Sequence, residues 1–198
     1  MGMCCFARCN TIYNARANLP SIVPNIETLS ISSVVNTPIV PVKFLHLKYL
    51  SISLEAEHGA FPPVYDYFSL VSFLDACPVL ETFHLAVSQT RMKHDSVFGD
   101  PSHLRQRREY RHENIKTVKI SGFCSAKSMV ELTCHILENA ASLECLTLDT
   151  IDDVDDIGRH IHETGDLLAI ERYIMGKVPS TVKLNVLEPC RRCHAFAA

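Results

Sequence analysis

No stretch of the chain reaches the ~20 consecutive apolar residues that a membrane-spanning helix needs. The start, Met1-Gly2-Met3-Cys4-Cys5-Phe6, is followed by no apolar core of a secretory signal. Gly2 stands where N-myristoylation needs glycine, but Phe6 stands where that motif requires Ser or Thr. Charge of one sign is lacking too: 19 Lys+Arg against 22 Asp+Glu leave a net charge of -3, which gives no global field for gripping nucleic acid or an anionic membrane. The Gly-x-Ser-x-Gly elbow, the Walker loop and the dinucleotide Gly-x-Gly-x-x-Gly are absent, and His112-Glu113 lacks the second histidine of a zinc-peptidase helix. The expectation is therefore a protein that is not an enzyme, with no cofactor, no nucleic-acid partner and no membrane partner, placed in the cytoplasm or nucleus.

What the chain does contain is core-forming material. Its 198 residues are 47% hydrophobic and 21% charged, the balance of one globular domain. Among its nine cysteines, Cys77, Cys124, Cys134 and Cys145 sit inside apolar segments, where a free thiol behaves as a small hydrophobe, and the odd total leaves one unpaired in any complete disulfide scheme. The reduced state is expected.

One short pattern recurs. Ile26-Glu27-Thr28-Leu29-Ser30-Ile31 carries apolar residues at its first, fourth and sixth places. Leu47 to Ile52, Leu80 to Leu85, Ile115 to Ile120 and Leu143 to Leu148 repeat it, and Val182 to Val186 keeps the alternating part without the leading apolar residue. This is the strand core of a leucine-rich repeat, in which alternate residues turn inward and the Thr, Ser, Lys, Glu and His between them face solvent. First places are 21, 33, 35 and 28 residues apart, irregular and partly longer than the usual ~20 to 29 residues, so insertions lie between strands. An ordinary α/β sheet of short amphipathic strands is the competing reading.

The segments between strands carry helical spacing, which favours the solenoid. Phe68, Val71 and Leu74 lead to Asp75-Ala76-Cys77, and Pro78 stops the helix before the next strand. Over 125–139, Ser128 with Glu131 three residues on predicts a capping box, and Met129, Leu132, Ile136 and Leu137 predict the buried stripe. Leu167, Leu168, Ile170, Ile174 and Met175 predict a third amphipathic helix closed by Gly176. Residues 1–21 lack periodicity, 56–64 holds Gly59, Pro62 and Pro63, and 88–112 is a polar stretch with a turn at Gly99-Asp100-Pro101; all three read as loops, the last long enough to bind or move. The expected fold is an α/β leucine-rich-repeat solenoid of about five or six parallel strands on the concave face and helices on the convex one. Its expected limits are an unstructured 1–21, a repeat domain over 22–188 and a tail over 189–198.

Two runs make the sequence resemble a known family. Asp66-Tyr67-Phe68-Ser69-Leu70-Val71-Ser72-Phe73-Leu74-Asp75-Ala76-Cys77-Pro78-Val79-Leu80-Glu81-Thr82-Phe83 is one; Gly122 to Leu132, followed by Leu143 to Leu148, is the other. They resemble the C-terminal leucine-rich-repeat region of plant F-box proteins, especially those of grasses, with similarity from about Pro20 through Cys193. The resemblance implies a substrate receptor of a ubiquitin ligase, whose F-box docks a Skp-type adaptor and cullin while its repeats present a target protein. Residues 1–25 are too short and unpatterned to form an F-box, so adaptor and cullin are expected as partners only where an F-box lies upstream. A stand-alone interaction scaffold without a ubiquitin role is the alternative.

Sharper chemistry is thinly supported. Cys190-Arg191-Arg192-Cys193 has the spacing for two zinc thiolates, but a closed site needs four ligands and the rest would come from afar, such as Cys4, Cys5 or Cys9. Asp153, Asp155 and Gly158 fit the first, third and sixth places of a calcium loop, yet Thr164 stands where its bidentate Glu belongs, so an acidic linker is expected. Ten histidines scattered singly read as surface or core residues. The cluster Arg105, Arg107, Arg108 and Arg111, with Tyr110 and His112, is diluted by Glu109 and Glu113 and fits part of a protein-binding face. The expected contact residues for an unknown target protein are Thr28, Lys48, Thr82, Arg105, Arg107, Arg108, Lys116 and Lys119. A repeat array also needs capped ends, and an uncovered strand near Ile26 would make the chain prone to association.

Overall fold

The computed structural model describes residues 4–8, 25–33, 43–54, 65–88, 95–99, 104–106, 111–150 and 164–187. Among these, strands β1 (Cys4–Arg8), β2 (Thr28–Ser33), β3 (Tyr49–Leu54), β4 (Thr82–Val87), β5 (Thr117–Ser121), β6 (Cys145–Asp149) and β7 (Lys183–Leu187) form one sheet in strict chain order. Every neighbouring pair is parallel. A parallel neighbour is reached only by a crossover, and the crossovers carry the helices: a 3-10 turn Tyr67–Leu70 running into α1 (Val71–Leu74), then α2 (Lys127–Asn139), then α3 (Thr164–Ala169), which continues through a π turn Ile170–Ile174 and a 3-10 turn Met175–Lys177.

The register turns the repeated sequence motif into straight ladders. Leu29, Leu50, Phe83, Val118 and Leu146 align across β2 to β6, as do Ile31, Ile52, Leu85, Ile120 and Leu148, and all ten are buried. The leading apolar residues Ile26, Leu47, Leu80, Ile115 and Leu143 are buried beside them. Each inward row therefore stacks like on like, and the apolar surface removed from water drives neighbouring repeats together. The ladder weakens at β7, where the leading place is the exposed Thr181 and the inward places Leu184 and Val186 are only half-buried.

Seven strands stand where five or six were expected, and the extra one lies in the segment expected to be unstructured. Cys4–Arg8 pairs with β2, with Cys5 opposite Leu29 and Ala7 opposite Ile31. The inward motif places in β1 are thus taken by Cys5 and Ala7, neither of them Leu, Ile or Val, so no apolar pattern advertises this strand. β2 is consequently paired on both sides, and the uncovered strand expected near Ile26 is not found.

The helices pack on the inward side, in one hydrophobic cluster with the strand residues. The stripe Met129, Leu132, Ile136 and Leu137 of α2 is buried as its spacing predicts. Its capping box, however, does not form: α2 starts after Ala126, which makes no side-chain cap. Ser128 donates instead to the Tyr65 carbonyl at 3.4 Å and accepts from the Tyr67 amide at 3.2 Å, so the hydroxyl ties α2 to the preceding crossover. In the third helical stretch Ala169, Ile170 and Ile174 are buried, whereas Leu168 and Met175 are exposed. The π turn accounts for Met175, since it rotates later side chains away from the 3.6-residue phase; Leu168 lies before that turn, next to the buried Ala169 and Ile170.

The long stretch 88–112 is docked wherever it is described. Val97 is fully buried, its amide donates to the Ser125 carbonyl at 2.8 Å, and the Lys127 amide donates to the Asp95 carbonyl at 2.8 Å. The turn closing β5 requires glycine: Gly122 has φ +70°, and a Cβ there would collide with the Val87 carbonyl oxygen. Among the described residues no helix is long and apolar enough to cross a membrane. Cys77, Cys124 and Cys134 are buried and Cys145 is half-buried, and none of the four is in a disulfide.

Candidate protein-interaction surface

Alternation in a strand sends every second side chain to the face opposite the core. Three rows result on the open face of the sheet. The first runs Thr28, Tyr49, Thr82, Thr117, Cys145 and Lys183; the second runs Ser30, Ser51, His84, Lys119, Thr147 and Asn185; the third begins Ser32, Ser53, Ala86 and Ser121 and reaches Asp149. All of these are half-buried or exposed. Most parallel sheets are covered on both faces; this one keeps its short, hydroxyl-rich side open.

The open face is lightly cross-linked. His84 Nε2 lies 3.5 Å from Ser121 Oγ, and the Asn185 amide donates to Thr147 Oγ1 and Cys145 Sγ at 3.3 Å each. Burial, then the charge of Lys119, holds the His84 pKa below its ordinary value, so the ring is neutral at pH 7. Lys119 is then the single cation of the middle row.

One residue before each strand runs an alternating row of charge, Glu27, Lys48, Glu81, Lys116 and Glu144. The backbones are laced together there: the Lys48 and Tyr49 amides both donate to the Glu27 carbonyl, and the same fork repeats at Glu81 with Thr82, Lys116 with Thr117 and Glu144 with Cys145. Lys48 sits 3.6 Å from Glu27 and Lys116 3.0 Å from Glu81. These pairs are half exposed, and such surface ion pairs contribute about 0–1 kcal/mol each.

Of the contact residues expected from sequence, Thr28, Thr82 and Lys119 lie on the open face, while Lys48 and Lys116 lie on its rim with partners within the row. Arg105 has partners within the chain. Its guanidinium donates to both oxygens of Asp66 at 2.6 and 2.8 Å and through Nε to Glu131 Oε2 at 2.7 Å, its amide donates to Glu131 Oε1 at 2.9 Å, and it lies 4.7 Å over the Phe68 ring. Glu131 is 1% exposed; a buried carboxylate needs a paired charge, and Arg105 supplies it. Hydrogen bonding to Asp66, and then to Glu131, raises the Arg105 pKa further. The half-exposed side chain clamps its own loop to α2, beside a cavity of about 310 Å³ lined by Tyr65, Asp66, Asp95, Lys127, Ser128 and Glu131.

Arg107 and Arg108 lie outside the described residues, as do Cys190, Cys193 and the acidic run 152–156. His112 departs from the basic cluster altogether, being buried with Asp75 and His135 on the helix side of the sheet. Sequence reasoning passed over Tyr49 and Cys145 because polarity was its guide, and over Asn185 because its strand lacks the leading apolar residue; register selects all three as open-face positions.

A single chain-ordered parallel sheet, one face packed on helices and one face open, defines a leucine-rich-repeat solenoid. The particular family is equally plain: the model of the At1g61320/AtMIF1 leucine-rich-repeat domain matches residues 1–191, and the chain belongs to that family. The match starts well before Pro20, in keeping with the strand at Cys4–Arg8. No curated protein and no solved structure matches the chain.

Proposed function

We propose that the protein is a recognition module that binds a partner protein along the open face of its sheet, across the row Ser30, Ser51, His84, Lys119, Thr147 and Asn185. The observation that carries this reading is the unbroken register of that row over six parallel strands. Strands stand ~4.8 Å apart, so the row spans roughly 24 Å, long enough for an extended segment or a helix of several turns. Short hydroxyls with one cation allow close approach of a partner backbone and discriminate little by charge, which leaves specificity to the rim and to Tyr49. Leucine-rich-repeat domains generally act as binding scaffolds, in line with this reading.

The finer reading is that this module is the target-reading part of an F-box receptor of a ubiquitin ligase, as the runs Asp66 to Phe83 and Gly122 to Leu132 suggest by resemblance. The test is a pull-down of a Skp-type adaptor with the 198-residue chain and with a form extended by its upstream reading frame. Capture by the extended form alone supports the ligase role. Capture by neither form leaves a scaffold without a ubiquitin role. For the recognition surface itself, a photo-crosslinking residue at Ser51 is expected to trap a partner that the same residue at Lys177, on the helix side, does not.

A further inference from the structure

On the helix side, away from the open face, three segments distant in sequence bring metal-ligating side chains together. Asp75 caps the C-terminus of α1, His112 lies on the run into β5, and His135 is on α2. One donor atom of each lies within 4.8 Å of the other two, and His112 Nε2 is 3.7 Å from Asp75 Oδ1. The His112 and His135 rings meet edge to face at 5.7 Å.

Two features mark this as more than a chance meeting. His112 is only 6% exposed, yet its Nε2 makes no hydrogen bond, and buried polar atoms in native proteins are rarely left so. Its backbone is held to the end of α2 by an amide hydrogen bond to the Asn139 carbonyl at 2.9 Å. Asn139 also reaches His135: its Nδ2 donates to the His135 carbonyl at 2.8 Å and lies 3.3 Å from Nδ1. Ligation through His135 Nε2 needs the ring proton on Nδ1, so with a metal bound Asn139 Nδ2 keeps only its bond to the His135 carbonyl.

We propose that Asp75, His112 and His135 form a binding site for a divalent transition-metal ion of the zinc type. Zinc takes imidazole nitrogen and carboxylate oxygen at ~2.0–2.2 Å, which puts tetrahedral donors roughly 3.4 Å apart. The observed separations reach that after shifts of about 1 Å, within the range of side-chain rotation. Two imidazoles select zinc over calcium or magnesium, which prefer oxygen donors. The three residues supply three donors, and a closed tetrahedral site needs a fourth, such as a water. The ion joins the end of α1, the run into β5 and α2, and so staples successive repeats.

The test uses the full chain with Cys190→Ser and Cys193→Ser, which removes the thiolate pair that would compete for the same ion. Chelator-stripped protein is titrated with Zn2+ and, in parallel, with Co2+ as a spectroscopic probe. One ion per chain is expected, with a visible d–d band, no thiolate charge-transfer band, and a melting temperature raised by about 5 °C in excess zinc. His112→Gln is expected to abolish binding and Asp75→Asn to weaken it at least tenfold, with both stripped variants first shown to be folded by circular dichroism. Should His112→Gln fail to fold, the partly exposed Asp75→Asn decides alone. No stoichiometric binding, binding unchanged in the variants, or a thiolate charge-transfer spectrum would each overturn the site.

Discussion

The two faces of the same strands behave as different materials. On the inward face, Leu50, Phe83, Val118 and Leu146 are wholly buried and stacked along the register. On the outward face, one residue away in sequence, Ser51, His84, Lys119 and Thr147 are only half-buried and joined by few hydrogen bonds. The difference teaches where stability resides and where the proposed recognition falls. The inner rows hold successive repeats together, and the outer rows contribute little to folding, so their chemistry is free to serve the proposed recognition.

The comparison is broken most severely from within. Phe83→Ala, at a fully buried position in the middle of the sheet, is expected to cost about 3–5 kcal/mol in chemical denaturation, through lost transfer energy and the cavity left behind. Gly122→Ala follows, at roughly 2–3 kcal/mol, because a left-handed backbone strains any L side chain and the new Cβ must displace the Val87 carbonyl. Arg105→Ala leaves the buried Glu131 without its partner; a loss of about 2 kcal/mol is expected, below that of a fully buried pair because Arg105 is half exposed. That result would confirm Arg105 as a clamp, whereas unchanged stability with lost partner binding would return it to the contact surface.

Open-face changes sharpen the contrast from the other side. Ser51→Ala and Lys119→Ala are expected to move the unfolding free energy by no more than about 0.5 kcal/mol, while weakening capture of a partner in the same preparations. The smallest effect is on pH dependence. The folded protein holds the His84 pKa below its ordinary 6.5, so below that value the unfolded chain takes up the proton first. Stability contributed by the neutral ring is present above pH 6.5 and declines as pH falls below it. His84→Gln is therefore expected to flatten the fall in denaturant midpoint between about pH 6.5 and 5.5.

Much of this was legible in the residues. The five motif segments from Ile26 to Leu148 named their own inward and outward positions, because a period of two in a strand leaves no choice of face. The α2 stripe was legible for the same reason at a period near 3.6. β1 was not, since Cys5 and Ala7 carry too little apolar area to stand out. Nor was the phase of the last helix, which a π turn alters at Ile170–Ile174. Arg105 read as a surface cation because its partners Asp66 and Glu131 lie 39 and 26 residues away. The Asp75, His112 and His135 cluster left no motif at all, each residue coming from a different crossover.

By itself the sequence determined the repeat, the parallel strand as its unit and the polar character of the open face, since these follow from short-range periodicity and burial of apolar side chains. Only the tertiary structure decided how many strands the sheet holds, which cations are already spoken for and which buried groups converge, because those depend on the register of one repeat against the next and on contacts between residues that no local pattern links.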